Sequence, residues 1–367
     1  TGAALLIGVT LVSTIATGAA SAKETMNGAL ATRYSVDIVA MGDDISQQMV
    51  KDVSDINGVS DTLYAPAVSV TLEKADGTQP TSALLVGVKN IDQVKQVMRA
   101  NLGNASIDSD SVLMPTYNAQ TGKELQFANG TADFSTEWNQ NGDATRSLTL
   151  QANQADYRRV SAQYGAVGFV DESHFTNGDL DAATHVLLVK ADTDKSGVSV
   201  DDIYNDMQAA LEKSTDATVT GPIAERIVWA NMIDSMMMLL VGLIAVAVLI
   251  ALVGVANTLS LSVIERTRES ATLRAIGMTR GQLRRSLAVE ALLISLVSGI
   301  SGVLLGTLFG WLGAYVVFSM YGKVVFPFEW GINGIVLAVA AVAALLASVF
   351  PARRAVSTPP VEALAEA

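Results

Sequence analysis

Cysteine is absent from the 367 residues, which removes disulfides, zinc–thiolate sites, iron–sulfur clusters and cysteine nucleophiles from consideration. Histidine occurs only as His174 and His185, too few to build a histidine-based metal site. Aromatic residues make up 6% of the chain and charged residues 16%, where a soluble domain carries about 25% charged residues. What fills the gap is aliphatic: half the chain is hydrophobic, and the mean hydropathy is +0.36. That shortfall argues against a purely soluble protein. Basic residues are also in short supply, 24 Lys and Arg against 36 Asp and Glu, and a net charge of −12 disfavours nucleic acid as a partner. No G-x-x-x-x-G-K-[ST] phosphate loop occurs, so any nucleotide energy that drives this chain has to be supplied by a partner.

The apolar residues are gathered into four stretches of membrane-spanning length, roughly 20 residues. They are 1–22, the core of 227–256 (with an amphipathic lead-in from Ile227), 287–318 and 331–350. Between the first two lies a polar block, 23–226, holding 15 Lys/Arg against 29 Asp/Glu, a net −14. The loop 257–286 is the reverse: Arg266, Arg268, Arg274, Arg280, Arg284 and Arg285 oppose only Glu265 and Glu269. Basic short loops stay in the cytoplasm. One orientation then satisfies every segment: this loop and the tail 351–367 inside, and the acidic block outside. Trp229, Trp311 and Trp330 suit interfacial anchoring. Ala20-Ser21-Ala22 also fits a signal-peptidase site, which would leave the downstream topology unchanged. The start at Thr1, without a basic leader, reads as a piece cut from a longer protein.

The polar block alternates strand-like and helix-like patterns. Strands are expected at Tyr34–Ala40, Val68–Leu72, Leu84–Val88, His185–Lys190 and Ala217–Thr220, and helices at Ile45–Ile56, Ile91–Met98 and Val200–Leu211. This rhythm points to α+β subdomains rather than a single barrel. A second, β-rich subdomain is expected over about Gly103–Gly178, where Asn, Gln, Thr and Gly dilute the pattern. The fold class is therefore an α-helical membrane domain of four transmembrane helices, with a large α+β extracytoplasmic domain inserted between helices 1 and 2.

Candidate chemistry is sparse. Asp192-Thr193-Asp194-Lys195-Ser196-Gly197 opens like a calcium loop, but its twelfth position is Ile203 instead of Glu, so it reads as a polar turn. No catalytic triad or carboxylate pair stands out, and no catalytic, cofactor or metal residue is assigned. Glu290, one turn inside the third stretch and near Arg284 and Arg285, reads as an interfacial acid. Gly302, Gly306 and Gly310 recur every four residues, which permits close helix–helix approach in a bilayer, either within one subunit or between two. In the basic loop, Arg266–Ile276 suits a short surface helix. Gly277 would end it by taking a left-handed conformation, and Thr279 with Gln282 forms a capping-box pattern that starts the next helix. The loop is either a topological anchor or a rigid lever.

This layout, with Ser262-Val263-Ile264-Glu265-Arg266-Thr267-Arg268-Glu269, then Arg274-Ala275-Ile276-Gly277, then the tail motifs Pro351-Ala352-Arg353-Arg354-Ala355 and Pro360-Val361-Glu362-Ala363-Leu364, resembles the MacB/FtsX-like permeases of ABC transporters. The resemblance covers about Val228–Leu364 by motif, and the first span and outer block by layout. It implies a coupling helix that docks on a cytoplasmic ABC ATPase dimer through Glu265, Arg266, Arg268, Glu269, Arg274 and Gly277. It implies a stalk continuing the second span outward, and mechanotransmission from ATPase closure to the outer domain for export or extraction of a substrate. ATP and Mg would bind the partner ATPase, with no cofactor on this chain. A second permease unit would complete the complex. The opening Thr1–Val9 resembles the second half of duplicated permeases, so that unit is either another copy or the first half of the same longer chain. The expected location is the cytoplasmic membrane of a bacterium. Two other functions remain open: a regulatory complex that activates a cell-wall hydrolase or senses a ligand, and an ATPase-free membrane receptor.

Overall fold

The computed structural model describes residues 2–73, 75, 80–136, 146–192, 197–265, 277–320 and 322–357. The chain divides into two compact units, Asn27–Trp229 and the combination of Thr1–Met26 with Ala230–Ala367.

The first unit is α+β. In chain order its elements are β1 (Ile38–Gly42), α2 (Gln47–Ser54), β2 (Val59–Glu73), β3 (Thr81–Val88), α3 (Ile91–Val97), β4 (Ser111–Pro115), β5 (Thr131–Thr136), β6 (Arg146–Ala155), β7 (Ala166–Asp171), α4 (Ser173–Thr176), β8 (Thr184–Ala191), α5 (Val200–Ala210) and β9 (Thr218–Thr220). The helices start where a side chain can accept from an orphan amide. Ser46 caps α2 by accepting from Met49 N, Asn90 caps α3 by accepting from Gln93 N, and Ser199 caps α5 by accepting from Asp202 N. Val53 of α2 and Ile203 and Met207 of α5 are fully buried, so each helix lays one apolar stripe on the sheet.

Among the described residues nine strands form one sheet, ordered β3-β7-β4-β6-β5-β2-β8-β1-β9, and β2 also pairs with β3. The first six therefore close on themselves into a ring, which β8, β1 and β9 extend. The ring interior is filled by alternate residues: Val68, Val70 and Leu72 of β2, Leu85 of β3, Met114 of β4, Phe134 of β5, Leu150 of β6 and Val170 of β7. Side chains at i and i+2 share a face of a strand, so this period-2 set is what a closed sheet needs inside. Gly168 belongs to the same inward series. A β-carbon there would lie 2.7 Å from Met114 Sδ, so a larger residue would have to displace the Met114 side chain.

The sequence reading needs correction here. No separate β-rich subdomain occupies about 103–178; β4–β7 are hydrogen-bonded into the same sheet. β7 runs parallel to β3, and β5 runs antiparallel to the end of β2, so the middle segment completes the ring instead of standing apart. The barrel that the α+β rhythm argued against is present. Two strand starts also move. The first strand begins at Ile38, not Tyr34; the second begins at Val59, nine residues earlier than its apolar run, because Asp61 and Pro66 mask it.

The other unit draws on four helices: α1 (Gly2–Arg33), α6 (Pro222–Glu265), α7 (Arg280–Phe318) and α8 (Trp330–Ser357). Among the described residues three windows are long and apolar enough to cross a membrane, Leu5–Arg33, Pro222–Val246 and Gly281–Phe318, and a shorter apolar stretch covers Trp330–Ala343. Helix α1 continues unbroken through Ala20-Ser21-Ala22 and past Lys23 to Arg33. Helix α6 starts at Pro222, earlier than the lead-in at Ile227, directly after Gly221 in a positive-φ conformation. Proline suits a first helical position because that amide has no helical partner.

Candidate functional site

The basic loop is described at its two ends. Glu265 closes α6, and Arg266, Arg268, Glu269 and Arg274 lie outside the described residues. Gly277 has φ of +112°, the conformation that ends a helix without strain in glycine. Two residues on, Thr279 accepts from Gln282 N while the Gln282 side chain accepts from Thr279 N at 2.9 Å, a reciprocal capping box that fixes where α7 begins. Leu283 is buried one turn later and Glu290 lies on an exposed face.

Gly302, Gly306 and Gly310 line the face of α7 that meets α1. A β-carbon on Gly302 would fall 2.8 Å from Val9 Cγ1, one on Gly306 2.6 Å from Ser13 Cβ, and one on Gly310 2.8 Å from Thr17 Cβ. Both series advance by four residues, so the helices run parallel with backbones in near contact, the geometry that small-xxx-small spacing allows. The seam is polar as well as small. Thr10 and Thr14 hydroxyls donate to the carbonyls four residues earlier, each at 2.7 Å, and Ser13 Oγ donates to Asn333 Oδ1 of α8 at 2.8 Å. Thr17, Ser21, Ser295 and Thr307 hydroxyls and Asn333 Nδ2 are buried with no hydrogen-bond partner among the described residues. Toward the other end of α1, Lys23 pairs with Asp234 of α6 at 2.5 Å, and Thr25 Oγ1 accepts from Val325 N at 3.1 Å. Trp311 Nε1 donates to Pro327 O at 2.8 Å.

A third cluster, which sequence reasoning missed, lies within the α+β unit where α1 ends and α6 begins. Tyr34 follows the last residue of α1, and its hydroxyl donates to Glu225 Oε1 in the first turn of α6. The Arg159 guanidinium sits over the Tyr34 ring, 5.5 Å from its centroid. Arg158 Nη1 donates to Thr32 O at 2.8 Å and Arg159 N to Arg33 O at 3.2 Å, so a strand-like segment of the sheet domain caps the carbonyl end of α1. Burial and the neighbouring Glu225 carboxylate hold the Tyr34 phenol well above its ordinary pKa, which keeps it a donor. Nearby, Arg99 forks onto Asp37 through Nε at 3.0 Å and Nη2 at 2.7 Å, and Asp37 also accepts from Ala191 N at 2.8 Å. Arg226 reaches Asp201 of α5 at 2.6 Å. The signal that could have exposed this cluster is the Arg158-Arg159 pair, adjacent positive charges inside a strongly acidic block.

The remaining polar groups are structural. His174 is buried, with Nε2 2.7 Å from Ser109 O and Nδ1 3.0 Å from Asp179. Asp44 is held well below the usual carboxylate range, first by the Ser214 hydroxyl and then by Thr215 N, and so ties the turn before β9 to the end of β1. Among the described residues no three His, Asp or Glu side chains could share a metal ion. Four residues of the calcium-like loop, 193–196, lie outside the described set.

Comparison with known proteins places the helical unit. Residues 241–360 match the family described as FtsX-like permease C-terminal. A macrolide export ATP-binding/permease protein MacB from Nitrobacter winogradskyi is 32% identical over 131 residues, 35% of this chain and 19% of that one. A pyoverdine export ATP-binding/permease protein PvdT from Pseudomonas syringae is 22% identical over 373 residues, 89% of this chain and 54% of that protein. An uncharacterised ABC transporter permease from Methanocaldococcus jannaschii is 27% identical, covering 47% of this chain and 44% of its own. The chain thus spans between about a fifth and a half of the length of these relatives. A solved putative lipoprotein from Bacillus anthracis aligns with 49% of this chain and 95% of that one at 10% identity; its TM-score of 0.24 carries no argument.

Proposed function

We propose that this chain, which belongs to the MacB/FtsX-like permease family, is the permease part of an ABC exporter working by mechanotransmission. Its α+β unit lies outside the cell membrane, and the loop after α6 docks on a cytoplasmic ABC ATPase that binds ATP and Mg. The observation that carries the reading is the junction itself. One helix, α6, is unbroken from Pro222, inside the α+β unit, to Glu265, inside the segment that matches the permease family. A continuous helix curves only gently unless a proline, a glycine pair or a bulge kinks it, so displacement at Glu265 is passed along it. Glu265, Arg266, Arg268, Glu269, Arg274 and Gly277 are the residues assigned to ATPase docking, and a second permease unit completes the pair.

The test is co-purification in detergent with an ABC ATPase supplied as a separate chain or joined in a longer one. We expect stable association and ATP hydrolysis with the native loop, and loss of both in a Glu265→Lys, Arg268→Glu variant that still folds. Absence of any ATPase partner for the folded native chain would reject the reading in favour of a membrane receptor.

A further inference from the structure

The cluster at the domain-side ends of α1 and α6 suits a specific mechanical task. The two helices leave the α+β unit from sites 191 residues apart in sequence, and each is fastened to a different part of it. The end of α1 is held by the 158–159 segment: Arg158 Nη1 on Thr32 O, Arg159 N on Arg33 O, and Ser35 N on Arg159 O at 3.0 Å. Arg158 N in turn donates to Ser35 Oγ at 2.7 Å. The start of α6 is held against β1 and α5. A β-carbon on Gly221 would lie 3.2 Å from Asp37 O, and Arg226 is paired with Asp201. Among the described residues of the α+β unit, the Tyr34–Glu225 hydrogen bond ties the two helix ends directly. Its donor is buried, and Arg159 sits over the ring that carries the donor, so water is kept from competing for it. A hydrogen bond to a carboxylate shielded in this way is of the stronger kind.

We propose that Tyr34 and Glu225, with Arg159 stacked on the phenol, form the joint that makes the ends of α1 and α6 move as one body. In this view they are positioning residues for the mechanotransmission proposed above, on which this inference rests. Motion arriving along one helix is shared with the other at this point and so reaches both the 158–159 side and the α5 side of the α+β unit. With the joint broken, the exposed Lys23–Asp234 pair farther along the helices holds them together only weakly, each helix drives chiefly its own attachment, and the unit responds weakly although the ATPase still turns over.

The experiment uses the full chain assembled with its ATPase in lipid nanodiscs. Hydrogen exchange of the α+β unit is compared with and without ATP plus vanadate, and ATP hydrolysis is followed in parallel. Tyr34→Phe keeps the ring beneath Arg159 and removes only the hydrogen bond. We expect hydrolysis within about twofold of wild type, and a nucleotide-driven exchange change reduced by about fivefold or more. Because these 367 residues contain no cysteine, Tyr34→Cys with Glu225→Cys supplies their only thiols, and the ATPase is used in a cysteine-free form. A bifunctional thiol reagent spanning them should restore the exchange response, and cleaving the tether should abolish it again. A wild-type response in Tyr34→Phe, or a tether that restores nothing, overturns the joint. A native complex in which ATP plus vanadate leaves exchange in the α+β unit unchanged overturns the mechanotransmission reading first, before any variant is compared.

Discussion

The two units of this chain bury opposite kinds of side chain. In the α+β unit the core is large and apolar: Phe134, Phe169, Leu85, Leu113 and Leu187 are nearly inaccessible, and the Tyr157 hydroxyl among them donates to Leu113 O at 3.0 Å. In the helical unit many of the buried positions are small or polar, such as Ser13, Thr17, Ser21, Ser295, Thr307 and Asn333, beside a small apolar cluster of Val9, Val303 and Ala340, while Leu239, Leu304, Val316 and Trp330 face outward. Water rewards burial of apolar surface, so a domain bathed in water hides its large side chains. A bilayer offers no such reward, because lipid tails are as apolar as leucine. Helices there associate through close backbone approach, and their large side chains are left for the lipid. The difference between the units is a difference of solvent, written into one chain.

The comparison can be broken first from the watery side. Phe134→Ala empties the centre of the strand ring and should cost about 3–5 kcal/mol, read as a lower denaturant midpoint for the α+β unit. In the helical unit the matching damage comes from adding atoms. Gly306→Leu drives a side chain into Ser13 and the Thr10 carbonyl and should cost about 1–3 kcal/mol, measured by thermal unfolding in detergent. Gly334→Ala, where nothing lies within 4 Å of an added β-carbon, is its control and should be neutral or stabilising. A Gly306→Leu chain as stable as Gly334→Ala would show that α1 and α7 do not rely on the seam. Polar contacts inside the helices are worth less. Ser13→Ala removes the bond to Asn333 and should cost about 0.6 kcal/mol, whereas Thr17→Val deletes a hydroxyl that has no partner among the described residues and should cost nothing.

These contrasts also explain what could be read in the sequence. Hydrophobic runs mark the helices of the second unit because a membrane span is a one-dimensional signal. The capping box at Thr279 and Gln282 is equally local. The glycine triplet was visible by its spacing, but its partner was not, since Val9, Ser13 and Thr17 look like any residues of an apolar run. The strand ring was hidden for a different reason. It is closed by β7 on β3 and by β5 on β2, pairings between segments far apart in sequence. The alternation of Ala132 and Phe134, or of Leu148 and Leu150, is too short to announce such partners, and the outward Thr, Asn and Gln residues between them read as loop. The Tyr34–Glu225 tie was beyond reach for the same reason, being a single bond between distant residues of unremarkable type. Of the residues assigned by resemblance to ATPase docking, Gly277 is described with the backbone expected of a helix terminator, while Arg266, Arg268, Glu269 and Arg274 lie outside the described residues.

The smallest expected effect separates the units by acidity. Asp44 and Asp171 are both held below the ordinary carboxylate pKa, Asp44 chiefly by the Ser214 hydroxyl and Asp171 chiefly by the Ser173 hydroxyl. A group whose folded pKa is depressed binds its proton more readily in the unfolded chain. Its contribution to stability is therefore complete above the unfolded value, about 3.9 for Asp, and is lost as pH falls through that value toward the folded one. The α+β unit should lose stability progressively below about pH 4, and Asp44→Asn should flatten that acid limb while lowering stability near neutrality. The seam of the helical unit holds Gly302, Gly306 and Gly310 against Val9, Ser13 and Thr17, none of which titrates. Unfolding of the two units followed separately from pH 7 to pH 3 should then show the α+β transition moving by more than the helical one, whose described ion pair, Lys23–Asp234, is solvent-exposed. An α+β transition that ignores pH over this range would mean that the turn before β9 does not depend on the Asp44 carboxylate.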